Sequence, residues 1–273
     1  MAYTEDGTSK FVQAGEVKIH YHDAGRGPAC VLLHGGGPGA TGWANYSRNI
    51  DAFAEDFRVL IPDLPQFGKS GSPIIPIDRT MFNAHVLKDL LDALEIRTAH
   101  FVGNSMGGGT AIDFAAEYPD RIDKLVLMGS SGAGQSVFTP VPTEGDRLIG
   151  ANFRNPTFES IKALMSIMVY DPSFITDEMV QRRLEFAQNA EHRAARRESF
   201  RKEGEPMGAL EKVQAQTLVI WGREDRTNPY DQGLTLAKYI PNADFVLLSR
   251  CAHWAQLERA DDFNRTVIGF LKG

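Results

Sequence analysis

One serine sits between two glycines, in Gly103-Asn104-Ser105-Met106-Gly107, where the apolar run His100-Phe101-Val102 gives way to a helical pattern at Ala111, Ile112, Phe114, Ala115 and Tyr118. A tight turn from strand to helix strains the serine backbone, and glycines at 103 and 107 remove the β-carbons that would clash. The Ser105 hydroxyl then stands exposed at the strand's C-terminal end, beside N–H groups of a helix start that favours negative charge. By itself the motif is weak, because an ordinary strand–helix turn can carry it. A serine hydroxyl is also a poor nucleophile unless a histidine takes its proton and a carboxylate orients that histidine. The chain supplies both, in the order serine, acid, histidine expected on an open α/β sheet. Arg223-Glu224-Asp225 follows one apolar run, at 216–222, and Arg250-Cys251-Ala252-His253 follows another, at 244–249. Like Ser105, both segments fall just past the end of a predicted strand, the edge at which such sheets bind ligands. Glu224 and Asp225 are equally placed as the acid.

Acyl chemistry also needs donors for a developing oxyanion. His34-Gly35-Gly36-Gly37-Pro38-Gly39 follows an early apolar run. With no side chains in the way, its backbone can bring an N–H close to a negative oxygen, and the N–H of Met106 would make a two-donor site. A phosphate-cradling loop is the competing reading. It fails in detail, since there is neither G-x-x-x-x-G-K-[ST] nor G-x-G-x-x-G opening a helix.

Bringing three distant side chains to one rim requires strands that run the same way. Continuous apolar runs at 28–33, 57–62, 99–104, 123–129, 216–222 and 244–249 read as strands buried on both faces. Residues 16–25 alternate like a half-exposed strand. Helical spacing marks 80–94, the stretch after Ser105, 229–239 and 261–271. Strand–helix alternation of this kind gives an α/β fold with a parallel sheet covered on both faces. The alternation is interrupted from 133 to 207 by a charged segment of helical pattern with no convincing strand. The domain reading is therefore a core of 1–132 and 208–273, with 133–207 a helical insertion over the strand ends.

The 273 residues carry a net charge of −6, with 42 % apolar and 23 % charged residues. That is ordinary globular composition, and no basic face for nucleic acid is expected. Cys30 and Cys251 alone make neither a disulfide framework nor a metal knuckle, which fits a reducing, cytoplasmic setting. No run is long enough to span a bilayer, and the acidic start is not a signal peptide. His20 and His22 share a strand face, but without a third ligand a solvated face is expected rather than a metal site. Cys251 reads as a packing residue and Asp63 as a turn organiser. Most of Arg182, Arg183, Arg193, Arg196, Arg197 and Arg201 read as a solvated helix surface.

Together these residues resemble the α/β-hydrolase superfamily and, within it, the meta-cleavage product hydrolases, which split carbon–carbon bonds in bacterial aromatic degradation. LLHGGGPGATGWANY, GNSMGGGTAIDFAAEYPDRIDKLVLMG, VYDPSFITDEMVQRR, WGREDR and CAHWAQLERADDFNR carry the likeness over nearly the whole chain. The first and last are much more specific than the serine motif. The resemblance implies an α/β-hydrolase fold, a mostly parallel sheet with a helical lid. It implies Ser105, His253 and Asp225 as the triad, choosing Asp225 over Glu224, and Gly36 and Met106 as the oxyanion donors. Gly37, Asn45, Asn104, Arg183 and Trp254 would bind the carboxylate and 2-hydroxy or 2-oxo group of a dienoate. Choosing Arg183 over Arg182 comes from the resemblance.

The implied reaction is hydrolysis of 2-hydroxy-6-oxo-hexa-2,4-dienoates to 2-hydroxypenta-2,4-dienoate and a carboxylic acid, benzoate where the 6-substituent is phenyl. It requires no metal and no organic cofactor, and relatives generally self-associate, so a homo-oligomer is expected. Ser105 argues against haloalkane dehalogenases and epoxide hydrolases, which place a carboxylate there. Two alternatives remain: a carboxylesterase using the same triad on small esters, and a catalytically dead binding module. Two positions depart from the family: Thr227-Asn228, where biphenyl-pathway relatives are apolar, and Gln66, where glycine is common.

Overall fold

The computed structural model describes residues 3–200 and 207–273; Arg201 and the end of the charged run that contains it lie outside the described residues. Eight strands form one sheet: β1 (Ser9–Ala14), β2 (Val17–Gly25), β3 (Ala29–Leu33), β4 (Arg58–Pro62), β5 (Ala99–Asn104), β6 (Ile122–Met128), β7 (Gln216–Gly222) and β8 (Ala243–Leu248), in the spatial order β1-β2-β4-β3-β5-β6-β7-β8. β1, β2 and β4 pair antiparallel, and every pairing from β4 through β8 is parallel. The helices are α1 (Glu5–Thr8), α2 (Gly42–Tyr46), α3 (Ile50–Phe53), α4 (Arg79–Ala93), α5 (Met106–Glu117), α6 (Glu144–Arg154), α7 (Phe158–Ile167), α8 (Asp177–Ala187), α9 (Ala190–Glu198), α10 (Tyr230–Tyr239), α11 (Ala255–Glu258) and α12 (Ala260–Lys272). No helix among the described residues is long and apolar enough to cross a membrane.

The two-residue strand period divides the core. Phe101, Leu125 and Val219 pack on one face with Leu90, Phe114 and Leu236, from α4, α5 and α10. Their neighbours Val102, Val126 and Ile220 pack on the other with Tyr46, Phe53 and Phe263, from α2, α3 and α12. Residues buried on both faces are why β3 and β5 read as unbroken apolar runs.

Two expectations need correction. β1 was not anticipated: it is an edge strand of mostly part-exposed residues, and its apolar pattern is faint. The solvated face assigned to His20 and His22 is buried, each ring being about 1 % exposed. Segments remote in sequence cover it. His20 Nδ1 meets Asp63 Oδ2 at 2.7 Å and its Nε2 meets Ser9 Oγ at 2.8 Å, while His22 Nδ1 meets Thr8 Oγ1 at 2.9 Å. Asp63 does organise its turn, accepting from the N–H groups of Gly42 and Lys69.

Between β6 and β7 lie α6 to α9. Capping boxes at Thr143 and Thr157 start α6 and α7. Ile161, Leu164, Met165 and Val180 form a third apolar cluster that takes in Trp254 and Leu257 from the segment after β8. The insertion is thereby packed onto the strand ends through the residue next to His253.

Candidate active site

Ser105 has φ 54° and ψ −120°, a conformation non-glycine residues rarely adopt. The surroundings enforce it. A β-carbon at Gly103 would lie 2.5 Å from the Gly107 carbonyl oxygen, and one at Gly107 would run into the Leu33 carbonyl. The Ser105 N–H donates to Met128 O at 3.0 Å, and its own carbonyl accepts from Gly108, Gly109 and Ser131. The side chain is thus fixed where β5 hands over to α5.

The turn after β7 brings one of the two acids, Asp225, to His253. Asp225 Oδ1 accepts from the N–H groups of Thr227 (2.8 Å) and Asn228 (2.9 Å), which leaves Oδ2 to meet His253 Nδ1 at 2.7 Å. Both side chains are nearly inaccessible. Glu224 turns away, accepting from Arg223 and from the Cys251 N–H. Desolvation by burial pushes the thiol of Cys251 up, so it stays protonated. Behind the pair runs Gly129, at φ +49°; a β-carbon there would lie 3.0 Å from His253 Nδ1 and 3.2 Å from Asp225 Oδ2. Asn228 Nδ2 donates to the Gly129 carbonyl at 2.7 Å and ties the acid's turn to the end of β6. Glu258, held protonated more readily than an ordinary carboxyl by its burial, accepts from the N–H groups of Ala252 and Tyr170. Gly129, Asn228 and Glu258 were not singled out from sequence as supports, and a glycine directly after a buried strand was the one available signal.

The glycine loop after β3 lies against Ser105. A β-carbon at Gly35 would sit 3.2 Å from Ser105 Cβ, and one at Gly36 would sit 2.8 Å from Met106 Sδ. His34 holds the loop: its Nε2 accepts from the Leu64 N–H at 2.9 Å, so Nδ1 carries the proton and donates to Gly35 O at 2.8 Å. Burial lowers the His34 pKa and keeps that ring neutral.

Next to the loop is a buried cation. Arg183 Nη2 lies 2.7 Å from where a Gly37 β-carbon would be, and the guanidinium carbon is 5.3 Å from the centre of the Trp254 ring. Arg183 is 8 % exposed, its Nε has no hydrogen-bond partner, and burial lowers its pKa to about 10. Among the described residues no carboxylate pairs with it. Arg182, next in sequence, is exposed and pairs with Glu5. The helix itself held the signal, since Val180, Arg183 and Ala187 are its buried residues, one stripe at helical spacing. Asn104 is fully buried, with Nδ2 donating to Met128 O and His253 O and Oδ1 unpaired. Asn45 Oδ1 accepts from Gln256 Nε2 at 3.1 Å, two residues beyond Trp254. Asn104, Ser105, Met106, the glycine loop, Arg183 and Trp254 therefore share one small region with His253 and Asp225. The arrangement combines a hydroxyl, an acid-oriented imidazole, backbone donors and an uncompensated cation. That suits acyl chemistry on an anionic substrate.

Residues 28–260 match the family model for the alpha/beta hydrolase fold. The chain is 48 % identical to a 2-hydroxy-6-oxononadienedioate/2-hydroxy-6-oxononatrienedioate hydrolase of Burkholderia vietnamiensis, over 99 % of this chain and 98 % of the relative. It is 44 % identical to a 2-hydroxy-6-oxo-6-phenylhexa-2,4-dienoate hydrolase of Burkholderia cepacia, over 98 % of each. Among solved structures it is similar to a meta-cleavage product hydrolase from Pseudomonas fluorescens IP01, with a TM-score of 0.87 at 33 % identity, over 96 % of this chain and 97 % of that one.

Proposed function

This chain belongs to the α/β-hydrolase family and, within it, to the meta-cleavage product hydrolases, and from that premise we propose that it hydrolyses a carbon–carbon bond of 2-hydroxy-6-oxo-hexa-2,4-dienoates. The products are 2-hydroxypenta-2,4-dienoate and a carboxylic acid. The observation that carries this reading is the buried, unpaired Arg183 guanidinium between the Gly37 loop and Trp254. A planar cation in a dry site is matched by a carboxylate. A neutral ester leaves it uncompensated, which disfavours a plain carboxylesterase.

In the proposed mechanism the dienoate carboxylate lies on Arg183, with Asn45, Asn104, Gly37 and Trp254 around its 2-oxygen. A carbon leaving group is too poor to depart as a bare carbanion, so the substrate first ketonises. His253 takes the 2-hydroxyl proton and returns it to C5, which leaves His253 neutral and makes the departing C5 electrons an extension of the C2 carbonyl. Ser105 then adds to the C6 carbonyl while His253 accepts its proton. The N–H groups of Gly36 and Met106 hold the oxyanion, each such donor contributing about 3–4 kcal/mol in sites of this type. Collapse breaks the C5–C6 bond; its electron pair passes through the C3–C4 double bond to O2, which takes the proton held by His253 and departs as 2-hydroxypenta-2,4-dienoate, leaving an acyl group on Ser105 and His253 neutral again. Water, deprotonated by His253, releases the acid. Asp225 keeps the imidazole in the tautomer with Nδ1 protonated.

Helices α6 to α9 serve as a lid in this reading, supported by Arg183 on α8 and by the Trp254 N–H bonded to Met168 O at 3.0 Å. A cytoplasmic homo-oligomer is the proposed form, and two buried cysteines without a disulfide fit that compartment. The test is direct. The protein is incubated with the yellow 6-phenyl dienoate and, separately, with p-nitrophenyl acetate. Rapid bleaching with release of benzoate is expected; turnover of the ester alone overturns the carbon–carbon reading.

A further inference from the structure

A cavity of about 700 Å³ opens on the far side of the glycine loop, between Pro38–Ala40, Gln66–Gly68, the start of α4, the end of α6 and the α8–α9 pair. None of Ser105, Asp225, His253 or Arg183 lines it. Among the described residues its lining holds five arginines, at 79, 154, 193, 196 and 197, against one carboxylate, Asp78. Asp78 Oδ1 is engaged as the cap of α4, accepting from the Thr80 and Met81 N–H groups. In a chain of net charge −6 this is a strong local concentration of positive charge.

Two of the guanidinium groups are built in rather than draped on the surface. Arg196 has its guanidinium carbon 4.5 Å from the Phe67 ring centre and 4.4 Å from that of Phe153, and its Nη2 donates to Gln66 O at 3.1 Å. Arg79 Nη2 donates to Gln66 Oε1 at 2.8 Å, and its Nη1 is buried with no hydrogen-bond partner. Neither guanidinium has a carboxylate in salt-bridge contact among the described residues. Burial lowers the pKa of Arg196 to about 9, with the nearby positive charge of Arg79 adding to it, and burial lowers that of Arg79 to about 10 against the opposing charge of Asp78. Gln66 supports both, at φ 67°, and is locked by Nε2 donating to Pro73 O and Ser199 Oγ. The expected solvated surface therefore does not describe Arg196. Like charges held together in the wall of an aromatic-lined cavity, with a donor left over, are relieved by an anion that brings a flat apolar body.

We infer that this cavity is a second binding site, taking a planar organic carboxylate with its charge on Arg79 and Arg196 and its body against Phe67, Phe153 and Phe186. Gly39 backs onto the Arg183 carbonyl, so one turn of α8 presents Arg183 to the proposed dienoate subsite and Phe186 and Ala187 to this cavity. The two sites are neighbours across a single loop. The anionic charge follows from the guanidinium groups alone; its being a carboxylate on an aryl body leans on the function proposed above.

The test is a ¹⁹F NMR titration with 4-fluorobenzoate. Unmutated protein should bind it and should bind neutral 4-fluorobenzamide far more weakly. Binding should persist in Arg183→Met and weaken by about tenfold or more when Arg79→Gln and Arg196→Gln are added. Equal binding of the amide to unmutated protein overturns the inference without any variant. So does complete loss of binding in Arg183→Met, or unchanged affinity in an Arg79→Gln/Arg196→Gln protein with a native circular dichroism spectrum. Dienoate turnover, measured separately, reports on the hydrolase assignment and not on this site.

Discussion

Replacing Arg183 by methionine sets two consequences of one burial against each other. The guanidinium is lowered from its ordinary 12.5 to about 10, and burial is the cause. At about 1.4 kcal/mol per tenfold change in acidity, the empty protein is destabilised by about 3 kcal/mol. Methionine fills similar space without charge. Losing the contact with the Trp254 ring, 5.3 Å away, takes back about 1–2 kcal/mol. The variant without substrate should then be more stable by about 1–2 kcal/mol, or about 2–8 °C in melting temperature for a domain of this size. Turnover should move the other way. A carboxylate deprived of its buried partner loses about 2–5 kcal/mol, so kcat/KM for the 6-phenyl dienoate should fall about 30-fold or more. Calorimetry gives the first quantity and the bleaching assay the second. A variant that melts several degrees lower with unchanged kcat/KM would refute the reasoning, because the guanidinium would then be a packing strut.

Ser105→Ala should retain dienoate binding, seen as a shift of the substrate's visible band, and should not release acid; turnover at the unmutated rate excludes Ser105 as nucleophile. Asp225→Asn should keep the fold and lower kcat by about 10⁴-fold, the scale for an imidazole held in the wrong tautomer; a loss below tenfold would assign the orienting role elsewhere. His22 is lowered from 6.5 to about 4 in the folded protein, by burial first and the neighbouring His20 second. The unfolded chain therefore takes up this proton first, and stability should fall by about 3 kcal/mol as pH drops from about 6.5 to 4. Denaturant melts of the protein and of His22→Phe across that window should differ in slope, and parallel curves would remove His22 as the cause.

Ser105 and His253 were legible because each is a local event, a residue of special chemistry directly past a buried strand. Parallel strands carry all such positions to one edge whatever the loop lengths between them. The carboxylate that meets His253 was legible only as a pair. Glu224 and Asp225 differ by one residue on a turning chain, and the choice between them is made by Thr227 and Asn228, whose N–H groups fix Asp225 Oδ1. Propensity says nothing about such a turn. His20 and His22 were misplaced for a related reason. A period of two reports that a strand has two faces, and what covers each face comes from elsewhere in the chain, here Thr8, Ser9 and Asp63.

The arginines show that more was legible than the bulk pattern suggests. Arg182 and Arg183 are about 100° apart around α8, so no packing buries both equally. The apolar phase of the helix, Val180 and Ala187, already assigns the inner face to Arg183. The same construction on α9 sets Arg196 beside Ala195 on the face of buried His192 and Ser199, while Arg197 turns outward. In both helices a cation occupies a position that periodicity reserves for an apolar side chain. Burying it there without a carboxylate costs stability that packing does not return. Such a placement persists where an anion arrives to complete it, and that reasoning applies to Arg196 on the same terms as to Arg183.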